Sequence, residues 1–446
     1  MESIKIKNAI LISGSKPEEE PGVYIGRRAD DDLKERIYLT FKPGDANHIL
    51  ILGESGYGKT TLLRALAESI FDYYRSQGQK VIIILFERKM DITKINKLRE
   101  FYESVEEYYG EEYAKSQYPF LSHYLQLVEN DENLGMIGDF SMGWPNYMLE
   151  SVYLSKKKQY KLSSWHDIEP DYYPTTRFIF RPTRVLEAIQ IDNGYKTIAK
   201  EAKINLKNVD FETIARRAHL TPGTRYGRIF MKYWDIKKIR DPDKLYQQFL
   251  YDYKDSFKYD DTMNATKLSI QTAVELLKLD SLFISGNQKD FVHEITADRI
   301  NIIDFSTNSD LNSAEEALVF EHTVKYVTRY ALRKKIPVFI IIDEVHELLE
   351  HRRGREAIDD IYRMGRSLQI TLISATQYLY SLPSMLYIGA QHIFVVGNFA
   401  SRKDKKILED FIGEKIRVRN PEKGKGILFL GKRKKISAYF RPSKTL

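Results

Sequence analysis

The stretch His48-Ile49-Leu50-Ile51-Leu52-Gly53-Glu54-Ser55-Gly56-Tyr57-Gly58-Lys59-Thr60-Thr61-Leu62-Leu63 decides how this chain folds. His48 to Leu52 reads as a short apolar strand and Gly53 to Lys59 as a glycine-rich turn. Thr60 to Ser76 carries Leu62, Leu63, Leu66 and Ile70 at helical spacing, and Lys80 to Phe86 is again strand-like. Strand, loop, helix, strand is a βαβ unit, and its two strands lie parallel in one sheet. The turn also fits a pattern of Gly, four residues, then Gly-Lys-Thr, placed between strand and helix. Its glycines let consecutive amides face one anion, and the helix N-terminus adds its dipole. The expected nucleotide contacts are Gly53, Glu54, Ser55, Gly56, Tyr57, Gly58, Lys59, Thr60 and Thr61, with Lys59 reaching the β and γ phosphates and the Thr60 hydroxyl ligating magnesium.

Working outward, strand and helix alternate again far downstream: Ile300 to Phe305 before Ala314 to Arg333, and Val338 to Asp343 before Arg355 to Leu368, with further strands at Ile370 to Ala375 and His392 to Gly397. Ile340-Ile341-Ile342-Asp343-Glu344 ends in two carboxylates at the edge where a parallel sheet presents ligands. Asp343 is expected to hold a magnesium-bound water, and Glu344 to polarise the water that attacks the γ-phosphate. Gln377, just past the strand Ile370 to Ser374, reads either as a sensor beside that phosphate or as a solvated strand-end glutamine. Arg352, Arg353, Arg355, Arg363 and Arg366 crowd one helical segment, with Arg363 and Arg366 on one face. An arginine supplied to a neighbouring subunit would neutralise transition-state charge, whereas a basic helix paired with Asp359 and Asp360 is the plainer reading. Spacing alone does not choose between these arginines.

The chain has 446 residues, 43% of them hydrophobic, which exceeds one ordinary domain. Cysteine is absent, so disulfides, thiolate nucleophiles and cysteine metal sites are excluded, and the nine histidines do not fall at ligand spacing. No apolar run has the length of a bilayer span and no secretory signal opens the sequence, so a cytoplasmic protein without a membrane span is expected. There is no Gly-x-Ser-x-Gly elbow, no His-Glu-x-x-His and no dinucleotide fingerprint. The net charge of +7 is local: Ser401 to Leu446 holds 15 Lys and Arg against 5 Asp and Glu, a balance of +10. That segment reads as a phosphate-binding surface or as a solvated one. The expected parts are a β-rich lead-in at 1–45, a core at 46–90 and 300–446, and a mainly helical insertion at 91–299. Within the insertion, Asp210 to Lys232 is a basic helix-turn segment that reads as a solvated helix or a DNA-touching element.

The order of these pieces resembles the HerA and FtsK branch of P-loop motors. The resemblance rests on the His48-led strand and phosphate loop, Asn301-Ile302-Ile303-Asp304-Phe305-Ser306, Ile342-Asp343-Glu344-Val345-His346-Glu347-Leu348-Leu349, Arg363-Met364-Gly365-Arg366-Ser367, and Ser374-Ala375-Thr376-Gln377. It covers roughly 46–90 and 268–440, under half of the chain. It implies a RecA-like α/β core with a parallel central sheet, ATP and Mg2+ as cofactors, and a homohexameric ring that moves DNA. The DNA is expected to be double-stranded and held mainly by its backbone. It also implies an arginine in trans, with Arg363 and Arg366 matching the arginine-bearing motif and Gln377 the strand-end glutamine. A portal, nuclease or membrane complex would be the further partner. An ATPase that drives a protein secretion or assembly machine without gripping nucleic acid is the competing reading.

Overall fold

The computed structural model describes residues 3–6, 9–13, 17, 19–29, 35–41, 47–88, 102–117, 173–182, 189–190, 196–306, 309–418, 424–431 and 434–441. Strands run β1 Ser3–Ile6, β2 Ala9–Ser13, β3 Val23–Arg28, β4 Glu35–Leu39, β5 Ile49–Leu52, β6 Ile82–Glu87, β7 Thr175–Ile179, β8 Ile189–Gln190 and β9 Lys196–Glu201. They continue with β10 Ile204–Asn205, β11 Phe283–Ile284, β12 Ile300–Asp304, β13 Val338–Ile342, β14 Ile370–Thr376, β15 His392–Val396, β16 Lys425–Leu430 and β17 Lys435–Phe440. The helix α1, Lys59–Ser76, follows the glycine-rich turn as the spacing of its leucines requires.

Two compact units make up the chain: 1–200 with 296–446, and 201–295. In the first, β15, β5, β14, β13, β6, β12 and β7 lie side by side, all parallel. Every residue of β5, β6, β13, β14 and β15 is buried, so the near-continuous Ile, Leu and Val runs belong to strands covered on both faces. Beyond β15 the sheet turns antiparallel, through β16, β17, β3, β4, β2 and β1. The lead-in strands thus extend the same sheet, and Val23, Ile25, Ile37 and Leu39 share one core with Leu62, Leu66 and Ile70 of α1. Thr175–Ile179, inside the 91–299 stretch, is a strand of the parallel sheet. Residues 102–109 and Glu111–Gln117 are helical, broken at Gly110.

The second unit holds α2 Phe211–Arg217, α3 Arg225–Met231, α4 Pro242–Asp252 and α5 Asp261–Leu279, capped by the side chains of Asp210, Thr224, Asp241 and Asp260. Its core is aromatic, with Phe230, Tyr233, Trp234 and Phe249 fully buried and Trp234 Nε1 donating to the Val209 carbonyl at 3.2 Å. The basic helix-turn segment is α2 to α3, and several of its cations are neutralised nearby: Arg216 by Glu212 at 2.6 Å and Arg225 by Asp260 at 3.0 Å.

Back in the first unit, α6 Ser313–Lys334 starts at a reciprocal cap between Asn312 and Glu315. It is followed by α7 Val345–Leu349, α8 Arg352–Leu368, α9 Ser384–Ile388 and α10 Arg402–Ile412. Among the described residues no helix is long and apolar enough to cross a membrane.

Candidate active site

The turn after β5 is shaped by its glycines and by what lies beneath them. A Cβ on Gly53 would stand 2.2 Å from the Val396 carbonyl oxygen, so the loop can leave the sheet this close to β15 only without a side chain. Gly56 and Gly58 take left-handed backbone, φ 86° and 102°, which reverses the chain into α1. Glu54 N–H donates to the Asn398 carbonyl at 2.9 Å, and Gly424 N–H donates to the Tyr57 carbonyl at 3.1 Å. The Tyr57 ring rests on Gly397, where a Cβ would be 2.1 Å from Cγ of that ring. The loop is therefore braced from β15 and from the turn before β16, while Glu54, Ser55 and Gly56 form its exposed tip.

Lys59 opens α1 and is 5% exposed, with Nζ donating to the Glu54 carbonyl at 3.2 Å. This curls the ammonium over the turn. The hydroxyl of Thr60 donates to Asp343 Oδ2 at 2.7 Å, joining the phosphate loop to the tip of β13, and Thr61 is half-buried beside it. A hydroxyl and a carboxylate oxygen in contact are the oxygen donors a magnesium ion takes together with phosphate, so these two residues fit the cation.

Glu344, 3% exposed, caps α7 with φ 50°, a left-handed conformation that costs a non-glycine residue on the order of 1–3 kcal/mol. Gln377 Nε2 donates to Glu344 Oε1 at 2.8 Å. His346 Nδ1 lies 3.5 Å from Glu344 Oε2 and 3.3 Å from Thr376 Oγ1. Lys59, Thr60, Asp343, Glu344 and Gln377 thus stand together at the carboxyl edge of the sheet. Arg363 does not join them. Exposed on α8, it lies eleven residues past Arg352, about 16 Å of helix rise, as the helix returns toward the amino edge. The side chain of Arg366 lies outside the described residues. Elsewhere on that helix Arg352 pairs with Glu356 at 2.7 Å and Arg353 with Glu321 at 2.6 Å. The arginine-rich pattern is thus partly a surface ion-pair lattice, with acids other than Asp359 and Asp360.

A buried charge network beside this site escaped the sequence reading. Glu87, at the end of β6 next to the β13 tip, accepts from Arg64 Nε of α1 at 3.1 Å and from an Arg177 Nη at 2.8 Å. The other Arg177 Nη donates to Asp304 at 2.7 Å, and Asp304 in turn accepts from Ser306 N–H at 2.8 Å. All four charged side chains are at most 3% exposed. Two cations facing two carboxylates is the condition under which charge tolerates such burial. Charged residues ending apolar strands, Glu87 and Asp304, were the available signal; Arg177 sat in a stretch without a recognisable pattern.

Two titratable groups are displaced by their surroundings. Burial holds the His48 imidazole down at about 4, and as a neutral ring it accepts the Leu372 N–H at Nδ1, 3.1 Å away, while its ring packs tilted against Tyr362 with the ring centres 4.3 Å apart. Burial raises the Glu316 carboxyl to about 7, against the opposing pull of Arg88 2.6 Å away.

A parallel sheet whose carboxyl edge carries the glycine loop, Lys59, Thr60 and the Asp343–Glu344 pair defines a P-loop ATPase. No family model matches the sequence, and no curated protein matches it. Among solved structures, VirB4 of Thermoanaerobacter pseudethanolicus is similar over 96% of this chain and 98% of its own, at 12% identity and a TM-score of 0.43. The plasmid coupling protein TrwB in complex with ADP and Mg2+ is similar over 97% and 93%, at 12% identity and 0.41. The genome packaging NTPase B204 from Sulfolobus turreted icosahedral virus 2, in complex with AMPPCP, matches 33% of this chain and 69% of its own, at 16% and 0.26. At those identities and scores the assignment rests on the geometry above, not on the likeness.

Proposed function

We propose that this chain is an ATP-hydrolysing DNA translocase that works inside the cell as a ring of six identical subunits, in DNA packaging, transfer or processing. The observation that carries the ATPase half is the pair of contacts at the sheet edge, Thr60 on Asp343 at 2.7 Å and Gln377 on Glu344 at 2.8 Å. Lys59 and the loop amides bind the β and γ phosphates, with Gly53 to Thr61 enclosing them. Magnesium, held through Thr60 and Asp343, would neutralise charge on the phosphates. Glu344 orients and polarises the attacking water, and Gln377 holds that carboxylate until the nucleotide state changes.

Arg363 is too far back along α8 to serve its own site, which supports its delivery, or that of Arg366, to a neighbouring subunit. The residues at 91–299 are read as an insertion, and 1–45 as a lead-in. The DNA half is supported by the +10 balance of 401–446, a charge suited to backbone contacts that are salt-sensitive and weakly sequence-dependent.

ATP turnover measured against added double-stranded DNA, at low and at moderate salt, tests both halves. Lys59→Ala abolishes turnover, and Glu344→Gln retains bound ATP without hydrolysis; turnover in either variant removes the assigned chemistry. Stimulation that weakens with salt supports the translocase. Basal hydrolysis without stimulation transfers the motor to a protein-driving machine.

A further inference from the structure

We propose that the loop after Gln377, with the exposed face of α10, grips a nucleic-acid strand and relays its presence to Glu344; this rests on the DNA-motor reading. Tyr378 and Tyr380 are 37% and 47% exposed, their rings 5.5 Å apart. Lys403 Nζ sits 4.7 Å from the centre of the Tyr380 ring. Arg402, Lys403 and Lys406 are all exposed, and among the described residues none of them is in an ion pair.

The local charge arrangement favours an anionic partner. Asp404, the acid in the first turn of α10, is 2% exposed and fully engaged inward: it accepts Ser401 Oγ at 2.6 Å and Tyr380 N–H at 2.9 Å. It therefore ties the tyrosine loop to the helix without screening the cations outside. Cations in the first turn of a helix oppose the helix dipole, so Arg402 and Lys403 weaken α10 unless something negative lies over them. Exposed aromatic rings interleaved with cations suit a nucleic-acid strand better than an acidic protein face, because bases or sugars pack on the rings while phosphates meet the cations.

The relay follows from chain connectivity. Tyr378 is bonded to Gln377, whose amide holds Glu344, and Tyr378 N–H donates to Thr376 Oγ1 at 3.2 Å, the same hydroxyl that meets His346. A strand that shifts Tyr378 or Tyr380 shifts the amide that restrains Glu344. Within the basic C-terminal segment this selects the start of α10 over β17, where Lys435 is already paired with Glu414 at 2.8 Å.

The test uses the full chain, a fluorescent DNA duplex and its single strand, with anisotropy for binding and ATP turnover for coupling. Tyr380→Ala and Lys403→Gln are expected to keep basal hydrolysis, bind DNA about tenfold more weakly and lose DNA stimulation. Lys403→Gln should also flatten the salt dependence, and Tyr380→Phe should behave as wild type. If wild type is stimulated and both variants are stimulated equally, this surface is not the grip, while the motor reading stands. If wild type is stimulated by neither form of DNA although Lys59-dependent hydrolysis persists, the DNA reading fails and the grip fails with it.

Discussion

Gly397 shows how a residue outside the phosphate loop can govern it. Its φ of 68° is left-handed, and a Cβ there would enter the Tyr57 ring. Gly413 is also left-handed, φ 81°, yet has nothing within 4 Å of a Cβ. Alanine at either position carries backbone strain of about 1–2 kcal/mol. Only Gly397→Ala must also displace Tyr57, so titration with a fluorescent ATP analogue should find its affinity several-fold weaker, with Gly413→Ala unchanged. Equal affinities would mean that the Tyr57 brace does not shape the loop. At this scale the sequence was most informative where a motif imposes spacing: Gly53, Lys59, Thr60, Asp343 and Glu344 could be picked out as candidates from the phosphate-loop pattern and the acidic strand end, and the fold brings them to one sheet edge. Gly397, Glu87 and Arg177 could not, because their partners lie in distant strands and no local pattern announces which buried charge meets which.

Among elements, β7 is held to β12 and β6 by more than backbone pairing. Arg177→Met would leave Glu87 and Asp304 short of a buried cation, and removing one partner of a buried pair costs about 3–5 kcal/mol. Urea unfolding should register a loss of that size; a change below about 1 kcal/mol would show the network to be relaxed or hydrated. The strand β7 was not foreseen, whereas α1, α6, β13 and β14 fell almost where periodicity placed them. Long helices and wholly apolar strands declare themselves by pattern, but five residues containing a buried arginine do not.

His48 sets a pH dependence on the β5–β14 contact. Its folded value of about 4 lies below the ordinary 6.5, so between these values the unfolded chain binds the extra proton. Stability from this residue is therefore present above pH 6.5 and lost as pH falls toward 4. Glu316, raised from 4.5 to about 7, acts in the opposite sense, favouring the fold at low pH and losing that contribution as pH rises. The wild type superposes both, so the difference between His48→Gln and wild type isolates the histidine. The variant's urea midpoint should fall less steeply from pH 6.5 to 4; an identical profile would mean His48 is protonated without penalty.

For the whole molecule, one sheet joins the lead-in, the nucleotide edge and the basic C-terminal hairpin. Its order, with β17 between β16 and β3, was not legible because pairings between distant strands depend on packing rather than on any strand's own composition. The parallel centre was legible, since each crossover fixes its neighbours.

The pairing of β17 with β3 and the seating of Arg441 on α1, where its guanidinium donates to the Ala65 carbonyl at 2.8 Å and pairs with Glu68, also set an order of events during synthesis. The phosphate loop is translated early, yet the turn at Gly424 that holds Tyr57 and the arginine that clasps the loop's helix are made hundreds of residues later. A nascent chain that has emerged only as far as Lys434 should carry every residue proposed to contact nucleotide and still fail to retain ATP, and emergence of residues 435–441 should restore binding. Ribosome-bound intermediates of stepped length, probed with a nucleotide analogue, would read this directly: capture by the shorter chains would mean that the loop closes unaided, whereas capture only once residue 441 has emerged would make the emergence of β17 the moment at which the motor first acquires its fuel site.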